Sequence, residues 1–163
     1  LSGAQIFAFR HNNPGDLARK LARIEQPANC LVVVEGLYSI SGDVSPLAEI
    51  AGICRSAGAY LMVDEAHSFG VYGEHGLGCV EDQGVLDSVD FIVGTFSKAL
   101  AGIGGYAVSR HDALDLLHFA SRPYVFTASG SPANIAGVTT ALRLLQADTS
   151  LRARLWANVR QVR

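Results

Sequence analysis

The hydrophobic positions of this chain form short apolar runs separated by stretches of helical period. Residues 30–34 and 60–63 are two such runs, and each is followed by an acidic residue, Glu35 or Asp64. Runs without polar alternation are typical of strands that are covered on both faces, as in a parallel sheet. The predicted strands are residues 5–9, 30–34, 60–63, 91–93, 105–109 and 124–127.

Helix signals lie between these runs. The Asn-Asn-Pro sequence at 12–14 predicts a helix with an asparagine cap that ends near residue 24. A Ser-Pro pair at 45–46 begins a second helix, which Gly58 ends. Further helices are predicted over 80–83, over 112–120, from the Ser-Pro pair at 131–132, and over 151–163. This alternation predicts an α/β fold, with an open, mostly parallel sheet and helices on both faces.

Composition and charge narrow the class of protein. The chain has 163 residues, 49% of them hydrophobic, which is enough for one domain with a core. A net charge of −2 provides no basic surface for nucleic acid or for an anionic membrane. The chain has no apolar run of membrane-spanning length and no signal-peptide pattern, which predicts a cytoplasmic protein. The three cysteines form no C-x-x-C pair and are predicted to be buried free thiols in a reducing compartment.

Ionisable residues lie where two predicted strands end. Asp64 and His67 follow the strand 60–63, and Lys98 follows the strand 91–93 after a Gly-Thr-Phe-Ser sequence. Because α/β sheets bind ligands at the carboxyl ends of their strands, we expect these three side chains at one edge. A lysine can form a Schiff base with the aldehyde of pyridoxal phosphate, and a carboxylate can keep the pyridine nitrogen protonated. The arrangement therefore favours a pyridoxal phosphate site, and no metal site is predicted.

Each of these residues also has a structural interpretation. Asp64 can cap a turn, His67 can bond to backbone, and a single lysine is commonly a surface charge. The apolar strand before Lys98 and the glycines after it favour a buried lysine. Five hydroxyl residues also have two interpretations: each can contact a cofactor ring or phosphate, or can simply occupy a turn. They are Ser39, Thr95, Ser97, Thr127 and Ser129.

Two nucleotide-binding motifs are alternatives. Residues 63–67 spell Val-Asp-Glu-Ala-His, which is also the DEAH signature of helicase-type ATPases. Such enzymes need an upstream G-x-x-x-x-G-K-[ST] loop, and residues 1–63 contain none, although a preceding segment could carry it. Residues 102–107 fit a dinucleotide fingerprint, but they precede a strand and do not open a helix, which excludes that function.

Five motifs in this order resemble the α-oxoamine synthases, which are pyridoxal-phosphate enzymes of fold type I. The motif sequences are most similar to those of the serine palmitoyltransferase members of that family, and then to those of 8-amino-7-oxononanoate synthase. The resemblance covers nearly the whole chain and rests on VEGLYS (34–39), GDVSPL (42–47), VDEAHS (63–68), GTFSK (94–98) and RPYVFTAS (122–129).

The resemblance implies a role for each candidate residue. It makes Lys98 the Schiff-base lysine, Asp64 the partner of the ring nitrogen, and His67 the partner of the phenolic oxygen. It also implies that Ser39 and Thr95 contact the cofactor and that Ser97 binds its phosphate. Thr127 matches a position that approaches the phosphate across the interface of a homodimer.

The implied reaction joins an amino acid to an acyl-CoA, usually with loss of carbon dioxide, and an aminotransferase is the nearest alternative within the fold type. Residues 1–147 would form the central part of the cofactor-binding large domain, and 148–163 would begin a helix toward a further domain. Because the family's N-terminal part and C-terminal domain have no counterpart in this sequence, we expect a fragment that is inactive alone.

Overall fold

A computed structural model describes residues 3–162, which form a mixed sheet with flanking helices. Its strands are β1 (Leu31–Glu35), β2 (Tyr60–Asp64), β3 (Phe91–Thr95) and β4 (Gly105–Ser109). Short 3₁₀ turns cover Pro27–Asn29, Leu86–Ser88 and Asp112–Leu116. The helices are α1 (Pro14–Leu21), α2 (Leu47–Ala57), α3 (Cys79–Asp82), α4 (Leu117–Ala120), α5 (Arg122–Val125), α6 (Pro132–Ala147) and α7 (Ser150–Val162).

The strands lie in the order β1-β2-β3-β4. β1, β2 and β3 are parallel, whereas β4 pairs with β3 in the antiparallel direction. Glu35 is the register partner of Asp64, and Asp64 is the register partner of Val93. The carboxyl ends of three neighbouring strands therefore meet at one edge, as the sequence predicts.

The core lies between β1 and β2 on one side and α1 and α2 on the other. Alternate strand residues point into it, and Leu61 and Val63 are fully buried. The other face of these two strands is open to solvent, because Val33 is 52% exposed. The remaining core positions include Leu17, Leu21, Val32, Val34, Leu47, Ile50, Ala51 and Cys54.

Caps confirm the predicted starts of α1 and α6 and the predicted end of α2, whereas α1 ends at Leu21, earlier than the predicted residue 24. The Asn13 side chain accepts the Asp16 backbone N–H at 2.8 Å, and α1 begins there. Gly58 follows α2 with a φ of 71°, a conformation that glycine adopts without steric cost. At α6, Ser131 accepts the N–H of Asn134 at 3.3 Å.

Two predicted strands are wrong. Residues 5–9 form no strand, although Phe9 packs against the edge of the core. Residues 124–127 do not form a strand either, because the chain turns into α5 with Pro123 in its first turn. The fixed φ of proline suits a helical first turn, which outweighs the β propensity of the aromatic residues that follow.

The structure also bears on the predictions for thiols, membranes and metals. Cys54 and Cys79 are buried free thiols as predicted, whereas the free thiol of Cys30 is only half-buried. Within residues 3–162, no helix is long and apolar enough to cross a membrane, and no cluster of ligating side chains is suited to a metal ion. The reducing compartment, the cytoplasmic location and the domain division at 147 stay predictions.

Candidate functional site

Asp64 is the last residue of β2, and its side chain lies on the open face of the sheet. Its Oδ1 accepts the Ala66 N–H at 2.8 Å, which starts a turn directly after the strand. Among residues 3–162, Oδ2 accepts no hydrogen bond. Asp64 therefore caps a turn with one oxygen, while the other remains available to a donor such as a pyridinium N–H.

His67 lies on the same turn and is half-buried. The turn is held by backbone hydrogen bonds from Ser68 and Phe69 to the carbonyl of Glu65, at 3.1 and 2.8 Å. The structure thus brings Asp64 and His67 to the same edge of the sheet, within one turn of chain.

β3 ends at Thr95, and a hydroxyl cluster follows it. Thr95 Oγ1 and Ser97 Oγ lie 2.8 Å apart, and Thr95 Oγ1 also donates to the Gly104 carbonyl at 3.2 Å. The Ser97 N–H donates to Thr95 Oγ1 at 3.2 Å. Hydroxyls and backbone N–H groups are common phosphate donors, so this cluster is chemically suited to a phosphate.

Lys98 is exposed, and the prediction of a buried lysine is wrong for this chain. It begins a tight turn in which the Ala101 N–H donates to the Lys98 carbonyl at 3.1 Å. A strongly hydrated ammonium group stays in water unless a partner compensates its desolvation. The exposed position leaves the amine accessible at the edge that carries Asp64.

Ser39 and Thr127 are less closely tied to this edge. Ser39 is exposed, and its backbone N–H donates to Glu35 Oε2 at 3.2 Å, which places it on the loop directly after β1. The Thr127 hydroxyl donates to the Pro123 carbonyl, so within one chain it is engaged in its own turn. The structure brings Ser39 to the site edge but does not bring Thr127 there.

Three polar residues near the edge were missed by the sequence analysis. Glu65 is fully buried beside Asp64. Tyr106 packs between two aromatic rings, and burial raises the pKa of its phenol to about 12. Asp43 accepts from His11 and Asn12 at 2.7 and 2.6 Å, and hydrogen bonds from Ser41 and then His11 lower its pKa. No sequence signal indicated the burial of Glu65, because carboxylates are almost always exposed unless they are paired.

The profile of the aminotransferase class I and II family matches residues 1–163, so the chain belongs to this family. It is 52% identical over 163 residues to a serine palmitoyltransferase from Caulobacter vibrioides, covering 99% of this chain and 40% of the relative. It is 43% identical over 160 residues to an 8-amino-7-oxononanoate synthase from Pelobacter propionicus, covering 97% of this chain and 41% of the relative. Both names belong to α-oxoamine synthases, which confirms the resemblance.

A solved structure shows the same fold. It is a serine palmitoyltransferase from S. paucimobilis with a bound PLP-myriocin aldimine, and it superposes with a TM-score of 0.89 at 44% identity. The match covers 92% of this chain and 39% of that chain. The predicted fold class is therefore confirmed, and this chain spans about two fifths of the length of the relatives it matches.

Proposed function

We propose that this chain belongs to a pyridoxal-phosphate enzyme that joins an amino acid to an acyl-CoA, and that it contains the part of the active site with the cofactor-binding lysine. The proposal rests on one observation: Asp64 pairs with Val93, so it lies at the same edge of the sheet as the segment that leads from β3 to Lys98. The S. paucimobilis relative was solved with PLP bound, which supports the same cofactor here.

The side chains at this edge fit pyridoxal phosphate. Lys98 provides an accessible amine, and Asp64 provides a carboxylate oxygen that accepts from no donor among residues 3–162. Thr95 and Ser97 provide two hydroxyls that lie within hydrogen-bonding distance of each other. When bound, the cofactor withdraws electrons from the amino acid's Cα, which permits a new carbon–carbon bond to the acyl group and loss of carbon dioxide.

Each residue then has a defined task. Lys98 Nζ would hold the cofactor's aldehyde carbon, and its free amine would be the base for the Cα proton of the amino acid. Asp64 Oδ2 holds the proton on the pyridine nitrogen. His67 orients the cofactor from the turn after β2, as Ser39 does from the loop after β1.

The phosphate is assigned to Thr95 and Ser97, with Thr127 of a second copy. Within its own chain, the Thr127 hydroxyl donates to the Pro123 carbonyl, and its oxygen can still accept a hydrogen bond from another group. The proposal therefore includes a homodimer whose sites lie near the interface.

Serine is the amino acid we favour, because the relative with 52% identity is a serine palmitoyltransferase. An 8-amino-7-oxononanoate synthase is the second candidate, because a relative with that name is 43% identical. Family membership supports pyridoxal chemistry over the DEAH-type ATPase considered from residues 63–67.

The test is an assay of the full-length protein with serine, glycine or alanine, each with short and long acyl-CoA. We expect release of free coenzyme A and carbon dioxide with serine and a long acyl-CoA. Turnover with a keto acid and no need for acyl-CoA would indicate an aminotransferase and would contradict the proposal. ATP hydrolysis without a cofactor absorption band would contradict it as well.

A further inference from the structure

The side chain of Glu65 is fully buried, although it directly follows Asp64 at the site edge. Buried carboxylates are rare in proteins unless hydrogen bonds compensate their lost hydration. None of the roles proposed above uses Glu65, so its burial requires another explanation.

Three donors converge on this carboxylate. Glu65 Oε1 accepts the Val80 N–H at 2.7 Å, and Oε2 accepts the Cys79 N–H at 3.0 Å. The Ser68 hydroxyl also donates to Oε2. These hydrogen bonds connect the turn after β2 to the first residues of α3, fourteen positions further along the chain.

Two glycines make room for the same carboxylate. A Cβ added at Gly36 would lie 2.5 Å from Glu65 Oε2, and a Cβ added at Gly78 would also collide with the carboxylate. Gly36 is itself joined to β2, because its N–H donates to the Asp64 carbonyl at 2.8 Å. The Glu65 side chain therefore fills a space enclosed by the end of β1, the turn after β2 and the start of α3.

The Glu65 backbone is held as well, since its N–H donates to the Val93 carbonyl at 2.8 Å. This residue is thus bonded to β3 through its backbone and to α3 through its side chain. Its neighbours Asp64 and His67 lie one position before it and two positions after it on the same turn. Fixing Glu65 fixes the direction in which both of them leave the sheet.

We propose that Glu65 is a positioning residue, whose buried hydrogen bonds to Ser68, Cys79 and Val80 hold Asp64 and His67 in place for the cofactor. The inference rests on the proposed function and assigns to Glu65 no contact with cofactor or substrate. The carboxylate accepts at both oxygens, so an amide would place an NH₂ group against at least one of these donors.

Burial raises the pKa of Glu65 above its usual range, against the lowering effect of the Ser68, Val80 and Cys79 hydrogen bonds. Leaving buried donors unpaired disrupts a site more than removing an exposed interaction does. Glu65→Gln is therefore the informative variant, because it keeps the size of the side chain, removes the negative charge and replaces one acceptor oxygen with an NH₂ donor.

Glu81 offers a matched control. It is another carboxylate that holds the loop after His67, where it accepts the Leu77 N–H at 2.9 Å and the His75 N–H at 3.0 Å. Its partners, His75 and Leu77, lie eight and ten positions after His67. Glu81→Gln alters hydrogen bonds to His75 and Leu77 and leaves the Val80 and Cys79 N–H groups bonded to Glu65, so the turn that carries Asp64 and His67 should stay in place.

The experiment uses the full-length protein, stripped of cofactor and titrated with pyridoxal phosphate. For Glu65→Gln we expect the dissociation constant to rise about tenfold and the pH midpoint of the bound cofactor's absorption band to shift. We also expect kcat to fall about 100-fold, with a smaller change in the amino acid KM. Glu81→Gln should lower the Tm and leave the dissociation constant, the band and kcat at wild-type values.

The inference is overturned if Glu65→Gln lowers the Tm but leaves the dissociation constant, the absorption band and kcat unchanged. If Glu65→Gln does not fold, Ser68→Ala tests the positioning role instead, because it removes one donor and keeps the carboxylate. We expect about threefold weaker cofactor binding in Ser68→Ala, and an unchanged value would overturn the inference. A wild-type protein that binds no pyridoxal phosphate would overturn the proposed function together with this inference, whereas normal wild-type binding confines the failure to Glu65.

Discussion

Asp64 and Val93 are register partners on adjacent parallel strands, and the N–H of the next residue, Glu65, donates to the Val93 carbonyl at 2.8 Å. Paired residues point to the same face of a sheet, and residues two positions apart share that face. Asp64 and Thr95 therefore share one face at the carboxyl edge. Lys98 follows on the loop directly after Thr95, so amine and carboxylate reach the site from neighbouring strands.

Replacing Asp64 with Asn should separate cofactor binding from chemistry. The amide keeps the turn-capping oxygen for the Ala66 N–H but cannot stabilise a positive charge on the pyridine nitrogen. We expect the full-length variant to retain bound pyridoxal phosphate and to lose about 100-fold or more in kcat. Stopped-flow absorbance and steady-state assays measure the two effects, and an Asp64→Asn enzyme with wild-type kcat would refute this role of Asp64.

The space around Glu65 predicts a contrast between two glycine substitutions. Gly36→Ala places a methyl group 2.5 Å from Glu65 Oε2 and 3.1 Å from Cys79 Cβ, so the free energy of unfolding should fall by about 2 kcal/mol. Gly52→Ala lies inside α2 with nothing within 4 Å, so it should raise that free energy by about 0.5 kcal/mol. Denaturant titration of the full-length variants checks the contrast. Equal stabilities for the two variants would show that the space around Glu65 can accommodate a methyl group at position 36.

The buried thiols should differ in reactivity from the half-buried one. Burial, and then the charge of Asp90, raises the pKa of Cys54 to about 11, and burial, followed by the charge of Glu65, raises the pKa of Cys79 to about 12. Because the thiolate is the reactive form, both remain protonated and slow to alkylate near neutral pH.

Mass spectrometry after brief treatment with iodoacetamide at pH 8 checks this prediction. Cys30 should be labelled first in the native full-length protein, and all three thiols should react at similar rates in denaturant. Native labelling of Cys79 as fast as that of Cys30 would contradict the burial described here.

The proposed dimer predicts complementation between two inactive variants. If Thr127 serves the partner's site, one variant with Lys98→Ala and another with Thr127→Val each lack one part of every site. A mixed dimer then contains one site with an intact Lys98 and an intact Thr127. Co-refolding equal amounts should recover activity in the mixed dimers, whereas each variant refolded alone should stay inactive. No recovery, despite mass-spectrometric detection of mixed dimers, would place Thr127 in its own chain's site or in none.

Local sequence signals were sufficient for the elements that carry the site. The apolar runs that end at Glu35 and Asp64 predict β1 and β2, and Gly58 predicts the end of α2. These features depend on neighbours within a few residues, which a sequence displays directly. The carboxyl edge could be predicted for the same reason, since parallel strands joined by helices bring their ends together.

Features that depend on distant contacts could not be predicted in the same way. Arginine side chains are usually exposed, but Arg152 of α7 is only 7% exposed and donates to the carbonyl of Glu74. Trp156 of the same helix donates to the Val71 carbonyl at 2.9 Å. This packing of α7 on the loop between β2 and α3 joins residues more than seventy positions apart. No local pattern encodes it.

Lys98 is the lysine proposed to hold the cofactor, and this chain provides its own control because it contains two lysines, Lys20 and Lys98. Both are exposed, but Lys20 lies near the end of α1, away from the site edge. Borohydride reduction of the full-length protein with pyridoxal phosphate, followed by peptide mass spectrometry, identifies the modified residue. Our account predicts a phosphopyridoxyl group on Lys98, retained in Lys20→Arg and lost in Lys98→Arg. Labelling of Lys20 in place of Lys98, or unchanged labelling in Lys98→Arg, would contradict it.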